Sequence, residues 1–426
     1  MRFLFSPPAE ATAGLLTLPW REPLESWVDD RLVEVPQRGL SRHVVRFVSE
    51  AGEVFALKEI HERLARREYQ FLRQLEKLGI PAVDVLGVVV DRGPDLDAIL
   101  VTRFLDYSTP YRALFANPRG QHLTGRLLDA QVELLVRLHL AGFMWGDCSL
   151  SNTLFRMDAG ALSAYLVDAE TAEMHSSLSE GQRQYDVLMA QERVGGELLD
   201  LQAGGFLRED LDAADTVDDL GRRYEALWAE LTSEEVLLPE EQRYRIGERV
   251  RRLNELGFDV DEIELVDVGE VGEGSRLRLT TRVAEPGHHR RLLFARTGLD
   301  VQEKQARRLL ADIASYRSYL EQTARRPVPE AVAANRWLEE IYGSVMDAIP
   351  ADLRGRLDDA EIFHEILEHR WFLSEAAGKD IGTTAAASDY LARVLPEVPG
   401  DLVAGAVRPA DAVRPPESPS RAESPP

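Results

Sequence analysis

Apolar and polar residues alternate in short runs over the first hundred positions, a pattern that predicts antiparallel strands separated by glycine-containing turns. The predicted strands span residues 31–35, 44–48, 54–58, 85–90 and 98–102. Between the third and fourth strands the apolar residues lie three or four positions apart, which predicts a helix over residues 60–78 that stops at Gly79-Ile80-Pro81. This part of the chain therefore predicts a twisted antiparallel sheet with one helix inserted.

Helical spacing follows over residues 123–140 and again over most of 178–256. Between these helices lie a polar loop at 145–152 and two short strands, 153–156 and 164–167, with Asp168 directly after the second strand. Helices around one small hairpin predict a second, mostly helical lobe.

Another unit is predicted from about residue 257. It begins with two alternating strands and a third expected strand, and it continues with three helices. These elements span residues 263–268, 276–283, 290–296, 301–320, 332–348 and 358–377. The last twenty residues contain six prolines, which predicts a disordered tail.

The composition is that of a globular protein, since 44% of the 426 residues are hydrophobic and 29% are charged. A formal net charge of −23 repels nucleic-acid phosphates and anionic lipids, so we expect neither nucleic acid nor a membrane as a partner. The sequence shows no apolar stretch long enough to predict a membrane span, and Cys148 is the single cysteine, which rules out an intrachain disulfide. We therefore expect a reducing, cytoplasmic location.

Lysine and asparagine are both scarce. Only four of the 50 basic residues are lysine, and the chain has four asparagines. Such a preference for arginine is typical of GC-rich coding, so a retained lysine or asparagine carries more information than usual. Arginine cannot replace a compact ammonium group where a point charge is required.

Four polar residues are spaced as phosphoryl transfer requires. Lys58 ends the third predicted strand, Asp147 and Asn152 share the polar loop, and Asp168 ends the hairpin that follows. Transfer from a nucleotide needs a cation for the phosphates and a carboxylate that orients the attacking hydroxyl. It also needs a carboxylate and a neutral amide to hold the divalent metal. These residues therefore predict a nucleotide-dependent phosphotransferase.

The segment 138–152, LHLAGFMWGDCSLSN, resembles the LHxxGxxHGDxxxxN catalytic loop of the protein-kinase-like superfamily. It is most similar to the lipopolysaccharide-kinase and aminoglycoside-phosphotransferase-like branches. Ala56-Leu57-Lys58 resembles the A-x-K of the family's third strand, and Val167-Asp168-Ala169-Glu170 resembles its metal-binding motif. The resemblance implies an α+β, two-lobed kinase-like domain over about residues 25–230, divided near residues 105 and 106.

The resemblance also assigns a role to each site residue, with ATP and Mg²⁺ as cofactors and a hydroxyl compound as acceptor. Asp147 is the expected base, Lys58 and its partner Glu68 the expected catalytic ion pair, and Asn152 and Asp168 the expected metal ligands. The residues expected to bind the nucleotide are Lys58, Gly39, Ser41, Arg42, Thr102 and Phe104.

The chain departs from the family pattern in three places. The phosphate loop 37–42 offers one glycine, Trp145 replaces a histidine, and no Ala-Pro-Glu segment follows Asp168. The last departure favours a small-molecule, glycan or lipid acceptor over a peptide, although a protein acceptor stays open. A nucleotide-binding pseudokinase that acts as a scaffold, and an interaction protein that has lost the nucleotide, are the alternatives from other functional classes.

Residues from about 210 to 395 resemble an uncharacterised bacterial domain family found behind such kinase-like domains. We expect an α+β domain over 231–395 that offers a surface for a protein partner, and a disordered tail at 407–426. For three further sites we expect a structural rather than a catalytic role. His139 is expected to be a buried core histidine and Cys148 a buried thiol, and His288-His289 is expected at a solvated strand edge. A solvated position was also open for Glu68, and the Glu361–His364 pair only weakly matches a di-metal motif.

Overall fold

The computed structural model describes residues 1–35, 42–116, 124–207, 211–232, 235–237, 248, 251, 260–267, 277–283, 287–398 and 408–409. The chain divides into two compact units. The first contains Met1–Tyr69 and Asp84–Phe104, and the second contains Gln70–Val83 and Leu105–Ala404. Helices and antiparallel sheets make up the described residues, so the predicted α+β class is confirmed.

The first unit is built on one antiparallel sheet of seven strands. In spatial order the strands are β1 (Arg2–Phe5), β5 (Val85–Val90), β6 (Ala98–Arg103), β4 (Glu53–Ile60), β3 (Val44–Glu50), β2 (Leu32–Glu34) and β15 (Arg408–Pro409). Five of them match the strands predicted from alternation. The predicted disordered tail lies outside the described residues except for β15, which pairs with β2.

Strand β1 and helix α1 (Ala9–Leu16) precede the predicted start of the domain. Helix α1 contributes Leu15 to a core that also buries Trp20, Trp27 and Phe55. The short, proline-interrupted segment gives little local signal, because β1 is fixed by its distant partner β5 rather than by its own pattern. Helix α2 (Glu62–Lys77) follows β4, as predicted.

The first half of the second unit surrounds a small sheet with helices. Its helices are α3 (Tyr111–Ala116), α4 (Thr124–Leu140), α5 (Glu180–Ala203) and α6 (Ala213–Thr232). Its strands are β7 (Ser108–Pro110), β9 (Thr153–Asp158) and β10 (Ala161–Leu166) in one sheet, and β8 (Phe143–Met144) with β11 (Glu173–Met174) in another. The mostly helical lobe with one hairpin is therefore present as predicted.

The second half begins with a three-stranded sheet and continues with helices. The strands are β12 (Glu235–Leu237), β13 (Val260–Asp267) and β14 (Leu277–Val283). The helices are α7 (His288–Thr297), α8 (Glu303–Ala324), α9 (Glu330–Trp337), α10 (Ser344–Ala348), α11 (Asp359–Ala377) and α12 (Thr383–Arg393), with a π-helical turn at Leu338–Gly343.

The third strand expected at 290–296 is wrong, because these residues form helix α7. Gly287 and Gly298 flank the helix in the left-handed conformation, with φ of 74° and 75°. Glu303 accepts hydrogen bonds from the amides of His289 and Arg290 at the first turn, so the helix is fixed by a distant carboxylate. His289 Nδ1 also lies 3.0 Å from Glu303 Oε1, so the predicted solvated strand edge is wrong as well.

Helices α7 to α12 share one hydrophobic core, in which Trp337, Tyr342 and Phe363 pack against one another. Within the described ranges, we find no helix with both the length and the apolar character that crossing a bilayer requires.

The turn between β9 and β10 joins the two halves of the second unit. Asp158, buried at the end of β9, accepts hydrogen bonds from the amides of Lys304 and Gln305 at the start of α8, at 3.1 and 2.7 Å. In return, Glu361 of α11 accepts hydrogen bonds from the amides of Ala159 and Gly160, at 2.7 and 2.6 Å. The helix starts of α8 and α11 are thus attached to the hairpin that follows the polar loop.

Candidate active site

Hydrogen bonds join Asn152 directly to Asp147 and connect their loop to the segment that carries Asp168. Asn152 Nδ2 donates to the backbone oxygen of Asp147 at 3.1 Å and lies 3.3 Å from its Oδ2. The backbone oxygen of Asn152 accepts from the amide of Val167 at 3.1 Å, directly before Asp168. Trp145 Nε1 donates to the backbone oxygen of Asp168 at 2.8 Å.

The hairpin explains why residues 152 and 168 meet. Asn152 lies immediately before β9, and Asp168 follows two residues after the end of β10. Thr153 and Leu166 are paired in the antiparallel register, so the two ends of the hairpin lie side by side. The sequence predicted this juxtaposition from the two short strands.

Helix α5 holds the polar loop through two carboxylates that sequence reasoning missed. Asp186 is buried and accepts hydrogen bonds from the amides of Trp145 and Gly146, both at 2.7 Å. Eleven residues later, Glu197 accepts from the amide of Leu150 at 2.6 Å and from the Ser151 hydroxyl at 2.7 Å. Eleven residues are three helical turns, which places both carboxylates on one helix face.

A third charged residue on this face contacts the predicted base. Arg193, seven residues after Asp186, places Nε 3.2 Å from Asp147 Oδ1. The signal available in the sequence was the spacing of residues 186, 193 and 197. It is hard to recognise in a long helix that carries many charged residues, most of which face solvent.

His139 is a core histidine, as predicted. Its Nε2 lies 3.0 Å from Asp186 Oδ2 and its Nδ1 lies 2.6 Å from the Tyr224 hydroxyl. In the tautomer that carries its proton on Nε2, His139 donates to Asp186 and its Nδ1 accepts from the Tyr224 hydroxyl. Burial raises the pKa of Tyr224 to about 12, so the hydroxyl keeps its proton.

Cys148 is also buried, as predicted. Its sulfur accepts a hydrogen bond from Gln131 Nε2 at 2.7 Å. Burial raises the pKa of the Cys148 thiol, with nearby carboxylates adding to the effect, so the thiolate needed for a nucleophile is disfavoured.

Lys58 and Glu68 form an ion pair in the first unit, with 3.1 Å between Nζ and Oε2. The Glu68 side chain is only 1% exposed and that of Lys58 14%, so the solvated position considered for Glu68 is wrong. The buried carboxylate fixes the position of the Lys58 ammonium group. The catalytic role of this pair stays a prediction.

The expected nucleotide contacts are only partly described. Gly39 and Ser41 lie outside the described residues, and Arg42 is exposed. Thr102 pairs with Ala56 inside the sheet, and the amide of Phe104 donates to the backbone oxygen of Val54 at 2.8 Å. A base bound at this segment would therefore use other backbone atoms than the Phe104 amide.

The donor types at Asn152 and Asp168 fit Mg²⁺. A carboxylate and an amide oxygen are hard ligands, and Mg²⁺ commonly takes few protein ligands and completes its shell with phosphate oxygens and water. Asp168 Oδ1 also accepts the amide of Glu170 at 2.8 Å, which orients the carboxylate. Among the residues that the structure describes, no cluster of three or more His, Cys, Asp or Glu side chains is arranged for a metal.

The weak di-metal interpretation of Glu361 and His364 is not supported. Both oxygens of Glu361 accept hydrogen bonds from backbone amides of the hairpin turn, and Oε2 also accepts from Gln305 Nε2 at 3.0 Å. This carboxylate therefore joins the helices to the hairpin.

Comparisons with known proteins agree with both expected resemblances. Residues 53–194 match the model of a kinase family, which is described as the Lipopolysaccharide kinase (Kdo/WaaP) family. Residues 226–395 match the Domain of unknown function (DUF4032). The predicted kinase-like segment followed by an uncharacterised domain is thereby confirmed.

Among solved structures, the chain is similar to one described as WaaP in complex with acyl carrier protein. The sequence identity is 21%, the match covers 54% of this chain and 100% of the other, and the TM-score is 0.34. The comparison with curated proteins gave no match.

Proposed function

We propose that the protein is an ATP- and Mg²⁺-dependent phosphotransferase that transfers the γ-phosphoryl group to a hydroxyl of a small molecule, glycan, lipid or protein. The observation that carries the proposal is the hydrogen bond of Asn152 to Asp147, together with the bonds of Val167 to Asn152 and of Trp145 to Asp168 that bring the Asp168 segment beside the same loop. The match of residues 53–194 to a kinase family supports it. A cytoplasmic location is part of the proposal, because ATP is supplied there.

Each residue has a defined task in this reaction. The acceptor oxygen attacks the γ-phosphorus, the bond to the β–γ bridging oxygen breaks, and ADP leaves. Asp147 orients the attacking hydroxyl and takes its proton, while Lys58, kept in place by Glu68, binds the nucleotide phosphates. Asn152 and Asp168 would hold Mg²⁺, which would neutralise part of the negative charge of the phosphates.

A nucleotide-binding pseudokinase is the second candidate, and one observation favours it. Arg193 forms an ion pair with Asp147 Oδ1, and Asn152 lies beside Oδ2, so both oxygens of the proposed base already have neighbours. If this arrangement persisted with substrate bound, the positive charge of Arg193 would make the carboxylate a weaker base.

Nucleotide binding and hydrolysis by the full-length protein separate the two candidates. We expect Asp147→Asn to abolish Mg-ATP turnover while leaving Mg-ATP affinity within about threefold, and Asp168→Asn to weaken Mg²⁺-dependent binding at least about tenfold. Asp129→Asn, which changes an exposed carboxylate of α4, is the matched control. Binding without turnover in the wild type would select the pseudokinase, and the absence of Mg-ATP binding would refute both candidates.

A further inference from the structure

Arg193 lies beside the reactive carboxylate and yet is open to solvent. Its Nε is 3.2 Å from Asp147 Oδ1, and its side chain is 45% exposed, compared with 22% for Asp147. In the described part of the chain, Asp147 is the ion-pair partner recorded for this guanidinium. A cation in this position acts directly on the proposed base.

Arg193 does not hold the loop in shape, because other residues do so. Asp186 accepts hydrogen bonds from the amides of residues 145 and 146, and Glu197 accepts from the amide of residue 150 and the hydroxyl of residue 151. Asn152 donates to the backbone oxygen of Asp147. A half-exposed ion pair adds little to folding stability and is easily rearranged. The role of Arg193 therefore concerns the carboxylate and what binds next to it.

The guanidinium is a planar group with five N–H donors. Nε is the guanidinium atom paired with Asp147 Oδ1. The group also carries Nη1 and Nη2, which together suit two parallel hydrogen bonds to a phosphate or carboxylate. Lysine, with a single ammonium, offers no such paired geometry.

The surrounding charge makes this cation important for an anionic ligand. Asp147, Asp186 and Glu197 all contact or form the loop, and the whole chain carries a net charge of −23. An acceptor with its own negative charge would be repelled from such a site unless a cation received it.

We propose that Arg193 selects acceptors that carry a phosphate or carboxylate close to the reacting hydroxyl, and that this anion opens the base. The inference rests on the proposed function. The anion takes the Nη edge of Arg193 and draws the guanidinium away from Asp147 Oδ1, where the hydroxyl then binds.

The test measures affinity in the full-length protein saturated with Mg²⁺ and a non-hydrolysable ATP analogue. The probes are matched sets that differ in one group: glycerol, glycerate and glycerol 3-phosphate, and glucose, glucuronate and glucose 6-phosphate. The variants are Arg193→Gln, Arg193→Lys and Asp147→Asn, and Arg222→Gln, which changes an exposed arginine of α6, is the control.

At least one anionic probe should bind about tenfold or more tightly than its neutral parent, and the carboxylate and phosphate members show which anion is preferred. Arg193→Gln should reduce the preference to within threefold, Arg193→Lys should restore part of it, and Asp147→Asn should strengthen it by freeing the guanidinium. Equal binding of anionic and neutral probes, or a preference that survives Arg193→Gln, would overturn the inference. Failure of the ATP analogue to bind would instead refute the proposed function.

Discussion

Asp186 gives the sharpest test of how the active-site loop is built. Its buried carboxylate accepts three hydrogen bonds, from the amides of Trp145 and Gly146 at 2.7 Å and from His139 Nε2 at 3.0 Å. In Asp186→Asn one acceptor oxygen becomes an NH₂ donor that faces an N–H group. At least one buried donor then loses its partner, which costs about 1–3 kcal/mol, and the remaining bonds lose their charge assistance. We expect the free energy of unfolding to fall by about 3–5 kcal/mol.

Urea denaturation measures this difference, and hydrogen exchange at the amides of Trp145 and Gly146 locates it. Exchange at these two amides should accelerate more than at the helix amides of α4. Asp200→Asn, on an exposed position of the same helix, is the matched control and should change stability by less than about 0.5 kcal/mol. If Asp186→Asn were as stable as Asp200→Asn, the carboxylate would not be holding the loop.

Three further predictions concern the hairpin and its contacts. Trp145→Phe removes the hydrogen bond to the Asp168 backbone, so stability should fall by about 0.5–1.5 kcal/mol in thermal unfolding, and an unchanged Tm would contradict this. Burial raises the pKa of Asp158 from 3.8 to about 6, so the native state binds the proton more tightly than the unfolded state. The stability that this group contributes is therefore fully present below pH 3.8 and is lost as the pH rises to about 6. Urea unfolding at pH 4 and pH 6.5 should show a loss of about 2 kcal/mol that is absent in Asp158→Asn, and parallel pH profiles would refute it. Glu361→Gln should lower the urea midpoint by an amount equal to about 1–3 kcal/mol, whereas the exposed Glu368→Gln should not; equal midpoints would show that the turn is held by other contacts.

The sequence predicted those parts of the molecule whose pattern is local. Strand β5 occupies the predicted residues 85–90, and the hairpin brings Asn152 beside Asp168 because two short alternating strands are joined by a tight turn. The Lys58–Glu68 pair is what the family resemblance implies, and the two residues lie on a strand and on the helix that follows it. In each case the information lies within a few tens of residues.

What the sequence did not reveal depends on distant partners. Helix α7 was interpreted as a strand because its short, charged sequence has no clear helical period, and its first turn is capped by Glu303 from another helix. The roles of Asp186 and Arg193 depend on how α5 packs against the loop. The sequence alone does not distinguish a charged helix face that contacts the loop from one that faces solvent.

The junction at the hairpin turn should keep the two halves of the second unit associated after the polypeptide between them is cleaved. Asp158 and Glu361 each accept hydrogen bonds from backbone amides on the opposite side of the junction, and Arg156 forms an ion pair with Asp358 beside them. A protease site introduced between residues 238 and 247 should therefore yield two pieces that elute together from a sizing column. When the same two fragments are expressed from separate genes, they should associate into one complex.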